Sequence, residues 1–131
     1  MPASNSLLLD TSVVIAFFRN EPTVVATLTN MDSLYLPLVA LGELNLGLER
    51  AQNKARAKRA LEELLSFVNV LYPDLETATL YGRIKAKLMA DGNPIPDNDI
   101  WIAATALQTG LPLATRDAHF DHVDEITKLH V

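Results

Sequence analysis

The sequence predicts an α/β fold, with helices layered on a central, mostly parallel sheet of four to five strands. Three observations carry this expectation. Short apolar runs stop at turn or capping residues, as Leu7-Leu8-Leu9 stops at Asp10-Thr11-Ser12. That first run is apolar throughout, as a strand covered on both faces is. Segments with helical apolar spacing alternate with such runs along the whole chain, the pattern of strand-crossover-strand units. At 131 residues the chain is long enough for one domain, spanning 1–131, and too short for two. A domain of this size buries roughly 68% of the surface its unfolded chain exposes, so its core needs neither disulfides nor structural zinc.

Leu7 to Leu9 reads as the first strand and Val13 to Phe18 as a short helix. A second helix begins near Pro22, where a proline in the first turn loses no hydrogen bond. Ser33 to Leu36 is the second strand. From Pro37 to about Arg50, Leu41, Leu44 and Leu48 keep helical spacing, and Ala55 to Phe67 forms another amphipathic helix. Asn69 to Tyr72 is the third strand. A long helix runs from about Asp74 to Ala90 and ends at Asp91-Gly92, where Gly92 suits the left-handed position. Pro94 and Pro96 punctuate the connection to a helix that starts around Asp97 to Asp99 and stops at Gly110. Pro112 to Thr115 is the fourth strand and Ile126 to Val131 the fifth. There is no internal repeat, linker or low-complexity segment.

Composition excludes several classes of function. The absence of cysteine removes thiol catalysis, cysteine-ligated metals and iron–sulfur clusters. The longest charge-free run, Ile100 to Thr115, includes Gln108, Gly110 and Pro112 and is too short and too polar for a membrane span. No basic stretch precedes an apolar one at the start, so no secretory signal is expected and the expected address is the cytoplasm. A net charge of −5 argues against a basic coat protein for nucleic acid, while leaving open an enzyme that acts on one.

The acids are placed unusually. Asp10 is the only charged side chain between Met1 and Phe18, and Glu43 the only one between Ser33 and Leu48. Asp99 and Asp117 bracket the charge-free run, with Asp97 and Arg116 beside them. Carboxylates at the edges of core-forming segments cost several kcal/mol unless something compensates them. Asp10 and Asp117 each follow a strand directly, which puts both at the carboxyl edge of a parallel sheet, the usual ligand crevice. Glu43 has Ala40 at i−3 and Gly47 at i+4, small residues that permit close approach of other groups. Four carboxylates converging without a basic partner repel one another, and a hard divalent cation, Mg²⁺ or Mn²⁺, relieves that repulsion. Plainer roles compete: Asp10, Asp97 and Asp99 as helix N-caps, Glu43 as a solvated helix residue, and Asp117 as a turn residue or an ion-pair partner of Arg116.

Other motifs fail. No glycine-rich phosphate loop is present. Asp97-Asn98-Asp99 begins like a calcium loop, but Trp101 and Ile102 stand where that loop needs a ligand and a glycine. Asp117, His119, Asp121 and His122 include transition-metal ligand types. With no third imidazole or thiolate spaced to complete a shell, His119 and His122 are assigned to the surface or to capping. Trp101 is assigned to the core. The cations are segregated: Arg50, Lys54, Arg56, Lys58 and Arg59 lie within ten residues with no acid among them, and Arg83, Lys85 and Lys87 form a second group. They read either as solvated helix faces or as a phosphate-binding rim beside the acids.

Four stretches carry a family resemblance: Leu8-Leu9-Asp10-Thr11-Ser12; Pro37-Leu38-Val39-Ala40-Leu41-Gly42-Glu43-Leu44; Ile95-Pro96-Asp97-Asn98-Asp99-Ile100-Trp101-Ile102-Ala103-Ala104; and Leu113-Ala114-Thr115-Arg116-Asp117-Ala118-His119-Phe120. With these the sequence resembles the PIN-domain ribonucleases, and among them the VapC-type toxins of prokaryotic toxin–antitoxin pairs. The resemblance implies a PIN-like three-layer α/β/α fold and metal-dependent hydrolysis of RNA phosphodiester bonds. It places the family's four acids on Asp10, Glu43, Asp99 and Asp117. Asp10 and Asp99 are then the principal Mg²⁺ ligands, Mn²⁺ being a possible substitute. Glu43 and Asp117 complete or steady the site, and Asp97 falls on an accessory position. Ser12 stands where the family often has asparagine, and Glu125 where it commonly has glycine. Ser12, Arg50, Lys54 and Arg116 are the candidate RNA contacts. Implied partners are a structured RNA such as tRNA or rRNA, a cognate VapB-type antitoxin and a second copy of the chain. The competing reading is a non-catalytic module of the same fold whose acidic pocket binds a basic partner segment. A phosphotransfer receiver is disfavoured, because no lysine follows a late strand.

Overall fold

In the computed structural model, which describes residues 5–131, five strands form one sheet in the order β3-β2-β1-β4-β5, and every neighbouring pair is parallel. The first four residues of the expected 1–131 domain lie outside the described residues. The strands are β1 (Ser6–Leu9), β2 (Ser33–Pro37), β3 (Asn69–Leu71), β4 (Leu113–Thr115) and β5 (Lys128–His130). Helices α1 (Thr11–Phe18), α2 (Pro22–Thr29), α3 (Leu38–Glu49), α4 (Lys54–Leu65), α5 (Leu75–Ala90) and α6 (Asp97–Thr109) flank the sheet in the expected three-layer α/β/α arrangement.

Strand β1 is central and buried along its whole length, which accounts for its unbroken apolar run. Leu8 pairs with Tyr35 on one side and with Leu113 on the other. The chain moves outward from β1 to β2 to β3, then returns past β1 to lay down β4 and β5. The direction therefore reverses between β1 and β4, and the carboxyl ends of those strands open a topological switch point, where parallel sheets bind ligands. Asp10 and Asp117 both lie there.

Helix α6 lines the same opening. Residues 99–104 and Ala106 are all buried except Trp101, so the helix presents almost no solvent face along that stretch. It ends at Gly110, whose φ of +72° is the left-handed conformation glycine adopts without steric cost. Trp101 is only half-buried and stacks on Tyr81 of α5 with ring centroids 4.3 Å apart, rather than entering the core as expected. Helix α5 opens on a capping box: Asp74 accepts from the Thr77 backbone N–H, and the Thr77 hydroxyl accepts from the Asp74 N–H.

Most element boundaries fall within two residues of those read from the sequence. One element was not anticipated, a 3-10 helix at Ala118–His122 directly after β4. Its Phe120 has no exposed surface and pins the turn to the core. Among the described residues, no helix is long and apolar enough to cross a membrane.

Candidate active site

Asp10 occupies the N-cap position of α1, and its backbone carbonyl accepts from Val13 and Val14. Its side chain does not cap the helix, as the plainer reading required. Oδ2 instead accepts from the Ser12 hydroxyl at 2.6 Å and from the Thr115 hydroxyl at 2.9 Å. The residue is 4% exposed. Both donors fall on one oxygen, so Oδ1 has no donor among the described residues.

Thr115, fully buried at the end of β4, serves two acids, since its Oγ1 also accepts from the Asp117 backbone N–H at 2.9 Å. Ser12 acts similarly: while donating to Asp10 it accepts from the Arg116 N–H at 3.0 Å. Its hydroxyl is thus engaged in orienting Asp10. Glu43, half-buried on α3, accepts from the Thr11 hydroxyl at 2.8 Å, so it is no freely solvated helix residue. A Cβ at Gly47 would meet nothing within 4 Å, so that glycine mediates no close approach.

Asp99 is the third residue of α6, whose N-cap is Pro96, and neither Asp97 nor Asp99 caps the helix. At 8% exposure the Asp99 carboxyl is pushed above the usual range, first by burial and then by the negative charges of Asp10 and Asp117. Its hydrogen bond with His119 opposes this. His119 Nδ1 lies 2.9 Å from Asp99 Oδ2 and 3.0 Å from Asp117 Oδ1. The bond to Asp99 is the main cause that raises the His119 pKa above its ordinary value. Asp117 also accepts the His119 backbone N–H at 2.9 Å.

Asp10, Asp99 and Asp117 therefore converge as expected, close enough to repel. Glu43 is joined to them through Thr11 and Ser12, the first two residues of α1. Two features correct the expectation. His119, expected at the surface or in capping, is indeed exposed but also turns its ring nitrogen to the cluster, so the acids are not without a basic partner. Arg116 is not the ion-pair partner of Asp117: its guanidinium binds Glu21 Oε1 at 2.8 Å and the Val131 carbonyl at 2.9 Å.

Asp97 faces α5, where Lys85 Nζ at 2.8 Å and Tyr81 Oη at 2.9 Å donate to its Oδ1. Lys85 first, then Tyr81, holds its carboxyl below the usual carboxylate range. Arg50 is the C-cap just after α3 and Lys54 begins α4; both are exposed, and Lys54 lies 3.8 Å from Glu49. The sequence reading missed Thr11, Thr115 and His119. Each stands within two residues of a recognised acid, and that adjacency was the available signal.

The donor set suits a divalent cation. It offers hard carboxylate oxygens, one of them on a nearly buried aspartate and lacking a donor, in a site where charge repulsion costs stability. Among the described residues, Asp99, Asp117 and His119 bring ligand atoms within 4.8 Å of one another.

Comparison with known proteins shows which family the chain resembles. The family model for the PIN domain matches residues 7–126. Ribonuclease VapC1 of Haemophilus influenzae (strain R2866) is 34% identical over 114 residues, covering 84% of this chain and 85% of that protein. A Shigella flexneri protein named tRNA(fMet)-specific endonuclease VapC is 32% identical over 112 residues, with the same coverage. Among solved structures, VapBC-1 from nontypeable Haemophilus influenzae superposes with a TM-score of 0.85 at 31% identity, covering 95% of this chain and 96% of that one.

Proposed function

Because the chain belongs to the PIN domain family, we propose that it is a Mg²⁺-dependent endoribonuclease, the toxin of a VapBC-type toxin–antitoxin pair acting in the cytoplasm. The observation that carries this reading is the pair of buried carboxylates, Asp10 and Asp99, at the switch point of a parallel sheet. Among the described residues neither is paired with a lysine or arginine. Names of relatives that are ribonucleases and a tRNA endonuclease support an RNA substrate, with a structured RNA such as tRNA or rRNA as the expected class.

Asp10 and Asp99 would hold Mg²⁺, with Glu43 and Asp117 as accessory groups. When bound, Mg²⁺ supplies Lewis-acid stabilisation of charge developing on the phosphoryl oxygens and a lowered pKa for attacking water. The protein's own part is preorganisation. Hydroxyls of Ser12 and Thr115 hold the Asp10 carboxylate in one orientation, so its placement costs little at the moment of reaction. Thr11 does the same for Glu43, which orients the attacking water by accepting a hydrogen bond from it. Exposed Arg50 and Lys54, together at the junction of α3 and α4, are the proposed contacts for RNA phosphates. Arg116, already engaged with Glu21 and Val131, serves structure first.

The solved relative is a VapBC complex, which supports a VapB-type antitoxin as partner. By the same resemblance the toxin is expected to pair with a second copy of itself. The acidic pocket also suits a basic segment of such a partner, and in a non-catalytic module that would be its whole role. RNA cleavage by the partner-free chain separates the two readings. Cleavage stopped by EDTA and reduced roughly a hundredfold or more in both Asp10→Asn and Asp99→Asn is the expected result. Wild-type rates in either variant would sink the metal assignment, and no cleavage with Mg²⁺ or Mn²⁺ would favour the binding module.

A further inference from the structure

His119 lies at the mouth of the acidic cluster, and its ring is aimed inward. The three atoms Asp99 Oδ2, His119 Nδ1 and Asp117 Oδ1 are joined by separations of 2.9 and 3.0 Å. Ligands in adjacent positions around a six-coordinate divalent ion, with bonds of about 2.1 Å, lie about 3 Å apart. The nitrogen thus keeps the spacing of a neighbouring ligand from each carboxylate. Two constraints hold it there. The His119 backbone N–H bonds back to Asp117 Oδ1 at 2.9 Å, and the next residue, Phe120, is fully buried. The other imidazoles are elsewhere: His130 Nε2 is paired with Asp121 Oδ1 at 2.9 Å, and His122 lies beside Lys87 and Asp124.

We propose that His119 Nδ1 is a direct ligand in the divalent-cation centre, which makes it a mixed nitrogen and oxygen site that favours Mn²⁺ over Mg²⁺. Imidazole nitrogen binds first-row transition ions well, whereas Mg²⁺ selects oxygen and retains its waters. Ligation exchanges the hydrogen bonds at Nδ1 for the ion, and any proton on that nitrogen leaves to solvent. This inference rests on the reading that the cluster holds a metal, and it adds a fifth residue to the four acids.

The test uses the full chain stripped of metal, titrated with MnCl₂ and followed by electron paramagnetic resonance and spin-echo envelope modulation. Imidazole nitrogen modulation is expected in wild type and in His122→Ala, and is expected to vanish in His119→Ala. The Mn²⁺ dissociation constant of His119→Ala should rise roughly tenfold, while its Mg²⁺ constant, measured by competition, changes less than about twofold. His119 is exposed, so a thermal melt suffices to show that the variant folds. Modulation that persists in His119→Ala, or oxygen-only coordination in wild type, overturns the proposal. Oxygen-only binding that still requires Asp10 and Asp99 leaves the nuclease reading standing, whereas a wild-type chain that binds neither ion ends both.

Discussion

Asp10 and Asp99 are legible in the sequence for a physical reason. A charge in a segment otherwise fit for the core must have a function or a partner to offset its desolvation. What the sequence does not reveal is the partner on each oxygen. Thr115 lies 105 positions from Asp10, and its hydroxyl acquires meaning only once β1 and β4 are neighbours. His119 escaped because an imidazole two residues past a turn aspartate looks the same whether it faces water or the cluster. The raised pKa of Asp99 yields a signed prediction. A carboxyl whose folded pKa is elevated favours folding fully below its unfolded value, about 4, and loses that contribution as pH rises through the folded value. In EDTA at neutral pH, Asp99→Asn is therefore expected to melt no lower than wild type, with any advantage disappearing in acid. A clear loss of stability at neutral pH would mean that the bond to His119 outweighs burial and repulsion.

At the scale of elements, strands and long helices were read well because periodicity and punctuation agree. Gly92 and Gly110 both take positive φ at helix ends. The 3-10 helix at Ala118–His122 was not read, because five residues hold no period. It exists because Asp117 accepts the His119 N–H and Phe120 reaches the core. That turn carries two of the groups at the site, so Phe120 supports the site as well as the fold. Phe120→Ala is expected to lower stability by about 3–5 kcal/mol in urea unfolding, the range for emptying a buried aromatic site. A loss below about 1 kcal/mol would show that the turn holds without its anchor. The start of α6 shows the opposite arrangement. Pro96 offers no side-chain cap, and Asp97 instead ties the first turn to Tyr81 and Lys85 of α5. The family resemblance grouped Asp97 with Asp99, but residues two apart on a helix point to different sides.

At the scale of the whole molecule, the strand order could not be read from the chain, although the parallel sheet and the convergence of acids at one edge could. Order depends on which crossover returns past β1, and no local pattern encodes it. The convergence has a global consequence, since a cation that binds only the folded arrangement must stabilise the whole domain. At a concentration about a hundred times its dissociation constant, the gain is about 2.7 kcal/mol. In a domain of this size that raises Tm by roughly 5–10 °C. Scanning calorimetry should show this rise for wild type and its loss in Asp10→Asn; equal shifts in the two would place the ion elsewhere.

The central position of β1 also bears on the order in which the protein is made. During synthesis the amino-terminal part emerges first, and β1, β2 and β3 can pair while β4 is still unmade. Asp10 then waits beside an empty edge, without Thr115 to fix it and without Asp99 or Asp117 to share its burden. The site closes only when β4 and the turn that carries Asp117 and His119 have been made. For a protein proposed to cut RNA, the proposed cutting site is therefore incomplete in any nascent chain that has not yet reached β4 and the turn after it.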